Sequence, residues 1–114
     1  MARVGFIGHP EYLNHDTGFG HPERPDRLRA IHSRLEESGL NDQLLAFAPR
    51  KADLSWLEKA HTSEHITNVR TRCEQKQLHM GDEETMICAD SFEIARLSAG
   101  ATLEAADIVM VGLA

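Results

Sequence analysis

The chain has 114 residues, and 12 basic against 18 acidic side chains leave a net charge of −6. A hydrophobic content of 41% fits one small globular domain, burying about two-thirds of its unfolded surface. With no basic stripe and no apolar run of about 20 residues, nucleic-acid binding, an anionic membrane surface and a membrane span are excluded as expectations.

The opening MARVGFIGHP lacks the long apolar core of a signal peptide. Val4 to Ile7 is a short apolar run closed by Gly8 and reads as a buried first strand. His9 to Arg24 holds three histidines, two prolines and two glycines, which suits neither helix nor strand and predicts a long, functional loop. Pro25 then opens a helix where its missing N–H costs nothing; Leu28, Ile31 and Leu35 line one face, and Gly39 supplies the stop. Leu44 to Ala48 is a plausible second strand. Asp53 is placed to cap a short helix through Trp56, Leu57 and Ala60, and Thr62 or Ser63 to cap another with Ile66, Val69 and Cys73 inward.

A second polar loop, Glu74 to Glu84, opens the acidic part of the chain: residues 73–114 carry 2 basic and 8 acidic side chains, whereas residues 1–72 balance at 10 each. Asp90 followed by Glu93 resembles a capping box, and from Phe92 the chain is alanine-rich and apolar on most faces, so a helix packed on more than one side is expected. Gly100 marks a close approach to a neighbour, and Leu103 falls on a packed face. Two cysteines, Cys73 and Cys88, without a CxxC pair make neither a disulfide framework nor a four-cysteine zinc site; reduced thiols in a cytoplasmic protein are expected. Strand, crossover helix and strand open a parallel α/β sheet, which two strands alone do not complete.

The segment GFGHPERPDRLRAIHSRLEESGL resembles the amino-terminal region of zinc-dependent histone deacetylases, class II members in particular, and of the bacterial acetoin-utilisation and acetylpolyamine amidohydrolase proteins. The resemblance continues through RKADLSWLEKAHTSEHITNV, through EET with Ser91 six residues later, and into SAGATLEAADIVMVGLA. It implies the arginase/deacetylase three-layer α/β/α fold, of which this chain is the amino-terminal part, helix-rich with two short parallel strands. The implied layout is one truncated domain over 1–114: first strand 3–8, active-site rim loop 9–24, helices and second strand 25–76, rim loop 77–90 and buried helix 91–113.

The resemblance implies zinc-dependent hydrolysis of acetyl-lysine or acetylpolyamine amides. The family's histidine pair in an RPPGHHA-like string, its Asp-x-His pair and its later aspartate are absent from this sequence. No catalytic residue, metal ligand or cofactor is therefore expected for this chain, with zinc belonging to the full-length family. What carries over is peripheral. His21, Pro22 and Glu23 match the loop walling the entrance, Arg27 matches an arginine of the acetate channel, and Glu84 stands where the family has a rim aspartate that contacts substrate backbone. Asp82 and Glu83 are alternatives for that acid. The extra methylene of Glu84 displaces its carboxylate by about a bond length.

Two histidine sets carry a sharper reading beside a plainer one. His9, His15 and His21 recur every six residues but match no zinc spacing, so local hydrogen bonding in a polar loop is favoured. His61 and His65 are four apart without an HExxH string; Thr62 and Ser63 break the helix between them, and a packed or capping His61 is favoured. Three functions follow: the front of a deacetylase-family amidohydrolase, inactive alone; a module that self-associates or binds a partner through an exposed sheet edge and the last helix; or a small metal-binding protein. An acetylated amine is the substrate only of a complete enzyme.

Overall fold

In the computed structural model, which describes residues 3–114, the first apolar run forms strand β1 (Val4–Ile7). A 3-10 turn, Pro10–Asn14, then folds part of the loop that the composition predicted to be irregular throughout; Pro10 starts it and His9 caps it by accepting the Glu11 N–H. Helix α1 (Pro25–Glu37) begins on Pro25 as expected and gives way to Gly39, whose φ of 76° is the left-handed conformation that glycine enters without strain. After a second 3-10 turn, Leu40–Gln43, strand β2 (Leu44–Phe47) pairs parallel to β1, with Val4 opposite Leu44 and Ile7 opposite Phe47. Helices α2 (Leu54–Leu57), α3 (Ser63–Glu74) and α4 (Ser91–Met110) complete the chain, and an isolated antiparallel bridge joins His79 to Met86 within the second loop.

Cap chemistry divides the predicted helix starts. The Thr62 hydroxyl accepts from the His65 N–H at 3.1 Å, as the sequence leads one to expect. Asp53 stands at the start of α2 without a side-chain cap bond. Asp90 already has helical dihedrals (φ −86°, ψ −10°) and makes no cap bond either, so the capping box does not form. Instead Ser91 Oγ accepts the Cys88 N–H at 2.8 Å and fastens the incoming loop to the helix.

The core gathers Ile66, Cys73, Ile87 and Phe92, with Leu54, Leu57, Val69 and Met80 packed around them. Helix α3 thus turns inward the face its spacing predicts. Burial pushes the Cys73 thiol up, against a backbone hydrogen bond at Phe92 that lowers it. The exit from β2 is a second mooring for α4. Ala52 N donates to the Arg96 carbonyl and Arg96 Nε to the Ala52 carbonyl, each at 3.0 Å, with Gly100 beneath them. Burial raises the Glu93 carboxyl, but a hydrogen bond from Lys51 and the Arg96 charge outweigh it and hold the group below its ordinary range.

Elsewhere the expected burial is not reached. β1 is exposed or half-buried rather than buried, α1 buries no residue, and Leu103 on α4 is half-buried. α4 buries its first turns but leaves Val109 and Met110 62% and 84% exposed. The physical reason is shape: the chain is a thin slab of 47 × 34 × 17 Å. Its radius of gyration is 16.0 Å, against about 13 Å for a compact domain of this length. Its surface is 8053 Å², about 1,800 Å² more than a compact protein of this mass exposes. No helix among the described residues is long and apolar enough to cross a membrane.

Candidate functional site

A cleft of about 580 Å³ opens between the carboxyl end of β1, the first loop, α1 and α4. Its location follows from the topology, since open parallel sheets form crevices where strands deliver their carboxyl ends. Phe6 comes from the strand and Gly8 from just beyond it, Arg27 and Ile31 from α1, and Ser91 and Ser98 from α4. Tyr12, on the 3-10 turn, donates its hydroxyl to the Leu97 carbonyl at 2.9 Å, and burial pushes its phenol above the ordinary value.

The first loop is fastened by its own polar groups. His15 Nδ1 lies 2.7 Å from Ser91 Oγ and its Nε2 lies 3.2 Å from a Glu23 carboxylate oxygen, so one imidazole links the loop, α4 and the cleft wall. Thr17, buried, donates to the Glu23 carbonyl, and Cys88 Sγ donates to the Asn14 carbonyl at 3.1 Å.

The two polar loops meet. His21 Nε2 donates to the Glu84 carbonyl at 2.9 Å while its Nδ1 accepts the Glu23 N–H at 3.1 Å, an arrangement that selects the Nε2–H tautomer. Asp82 Oδ1 accepts the N–H groups of Glu84 and Thr85 at 2.8 and 2.5 Å, and these hydrogen bonds hold its carboxyl below the usual carboxylate range.

The residues expected at a rim therefore divide. His21 and Glu84 touch each other, through the Glu84 backbone rather than its carboxylate, and Glu23 lines the cleft. Pro22 is exposed between them. Arg27 lines the cleft from the first turn of α1, with its side chain largely in solvent. Tyr12 and Ser91 belong to the same site; Ser91 carried part of the resemblance but neither was expected to line a site, since their partners lie 85 and 76 residues away. Among the described residues, no three or more His, Cys, Asp or Glu side chains are grouped to hold a metal ion.

A family model described as "Histone deacetylase domain" matches residues 21–114. The chain belongs to the histone deacetylase family. It is 32% identical over 109 residues to a probable deacetylase of Archaeoglobus fulgidus, covering 94% of this chain and 30% of that protein. Against the human polyamine deacetylase HDAC10 the identity is 35% over 95 residues, covering 79% and 14% respectively. The solved HDA15 HD domain superposes with a TM-score of 0.87 at 30% identity, covering 98% of this chain and 33% of that one. The fold is thus the α/β fold of the deacetylases, and the chain spans about a third or less of the relatives it matches. That ratio agrees with the slab shape and its surplus surface.

Proposed function

We propose that this chain is the amino-terminal segment of a deacetylase-family amidohydrolase, supplying the entrance and inner wall of the site but not its hydrolytic centre. The observation that carries this is the union of the two polar loops by His21 and Glu84 beside a cleft that Glu23 and Arg27 line. In a complete domain, His21, Pro22, Glu23 and Glu84 flank the entering acetylated amine, and Arg27 borders the path by which acetate leaves. Zinc belongs to that complete domain; the grouping of side chains here supports no step through it.

The chain alone is accordingly inactive. The test is release of acetate from an acetyl-lysine peptide and an acetylpolyamine by the purified chain supplied with Zn²⁺. No release above buffer is expected, and release abolished by a chelator would overturn the reading.

A second reading, self-association, is favoured by one observation: Val109, Met110, Val111 and Leu113 stand 53–84% exposed at the end of α4, beside a two-stranded sheet. A sedimentation coefficient that rises with concentration supports it, and a constant monomer value removes it. Free Cys73 and Cys88 support a cytoplasmic setting, and the acidic balance supports partners other than nucleic acid or an anionic membrane.

A further inference from the structure

His61 and His65 lie outside the cleft and outside both polar loops. The rings of His9, His15, His21 and His79 are each engaged by hydrogen bonds and that of His32 meets Phe6 edge-on in the cleft lining, without one; the rings of His61 and His65 likewise have no hydrogen bond among the described residues. Both residues are exposed, so of the packed or capping His61 expected from the sequence the packed form is not found. The helix does break between them, but the break brings the rings together rather than apart, with centroids 5.1 Å from each other and planes inclined at 38°.

Their backbones are fixed by hydrogen bonds that do not use the rings. The His61 N–H donates to the Leu57 carbonyl at 2.9 Å, closing the turn after α2. The His65 N–H donates to Thr62 Oγ1 at 3.1 Å, opening α3. The two Cα positions are therefore set by the α2–α3 junction itself, and only ring rotation remains to be paid on binding a ligand.

The spacing has a chemical meaning. With metal–nitrogen bonds of about 2.1 Å and a ring nitrogen about 1.1 Å from the ring centre, two imidazoles on one tetrahedral ion have centroids about 5.2 Å apart. For two adjacent positions of a square-planar ion the same arithmetic gives about 4.5 Å. The observed 5.1 Å lies between these values. Imidazole nitrogen selects borderline transition ions over Mg²⁺ and Ca²⁺, which require oxygen ligands, and the net charge of −6 favours an approaching cation.

The geometry points to a two-histidine site for a borderline divalent ion, Zn²⁺, Ni²⁺ or Cu²⁺, formed by His61 and His65 at the α2–α3 junction, with water in the remaining positions. An ion held there ties the exit of α2 to the first turn of α3. The site is independent of the deacetylase reading, since neither residue lines the cleft and two ligands leave it well short of the family's catalytic set.

The experiment is a titration of the untagged full chain with Zn²⁺ against a chromogenic chelator, paired with amide NMR spectra at substoichiometric Cu²⁺. One Zn²⁺ per chain is expected, with affinity reduced at least tenfold in His65→Ala and in His61→Ala. Both variants keep the Thr62 cap and the Leu57 turn, because those bonds use backbone N–H groups. His79→Ala is expected to bind as the wild type does. Paramagnetic broadening by Cu²⁺ is expected to centre on residues 60–66. Affinity unchanged in His65→Ala, absence of binding by the wild type, or broadening centred on residues 9–21 would each overturn the proposal.

Discussion

A methyl group placed on Gly100 sets two effects of opposite sign against each other. An ideal Cβ there falls 2.6 Å from the Arg50 carbonyl carbon and 2.8 Å from Ala52 N, with the Arg50 carbonyl oxygen nearer still. These are backbone atoms, so no flexible side chain can yield, and α4 or the chain after β2 must move. Overpacking of this kind costs about 2 kcal/mol. The displaced strand exit also loses the paired Ala52–Arg96 hydrogen bonds, at about 1 kcal/mol each. In the other direction, alanine in a helix interior gains about 1 kcal/mol over glycine. Gly100→Ala is therefore expected to destabilise the chain by about 3 kcal/mol, a large fraction of what a domain of this size possesses. Denaturant unfolding followed by circular dichroism measures it, with Ala105→Gly on the exposed face of α4 as the propensity control, expected to cost about 1 kcal/mol. A Gly100→Ala chain as stable as the wild type, or more so, would show that α4 does not approach the β2 exit as closely as described.

Three further outcomes follow from the site. Tyr12→Phe removes the hydroxyl bonded to the Leu97 carbonyl and is expected to cost about 1 kcal/mol in the same unfolding assay; an unchanged midpoint would remove that bond from the account. The Asp82 carboxyl is held below its ordinary value, so its hold on Glu84 and Thr85 is complete above the unfolded pKa and is lost as pH falls through the lower folded one. The Glu84 and Thr85 amide signals are expected to titrate together below the usual carboxylate range, and in Asp82→Asn that transition is expected to vanish. With a disulfide reagent, the half-buried Cys88 is expected to react before Cys73, whose buried thiol is pushed up; the reverse order would contradict the packing of α3 on α4.

Local rules carried much of the fold. Pro25 and Gly39 bracket α1, Thr62 caps α3, and Ile66 and Cys73 share a buried face, because each depends on chemistry within one or two helical turns. The HPERPDRL string likewise carries the resemblance to the deacetylase family within eight consecutive residues. The same rules misplaced Asp90, since whether a capping residue bonds depends on dihedrals that the arriving loop imposes, and here Ser91 instead ties that loop to the helix by accepting the Cys88 N–H.

Tertiary structure alone decided the rest. That His15 meets Ser91, that His21 meets the Glu84 carbonyl and that Tyr12 reaches Leu97 are contacts across 63 to 85 residues, which no local period encodes. Gly100 could be read as a close approach, but not its neighbour, because a missing Cβ says that something is near and not what it is. Burial was overestimated for β1, α1 and the end of α4 for a related reason. Apolar patterning records which face wants a partner, whereas the exposed area records whether one is present, and in this thin slab many apolar faces stay uncovered.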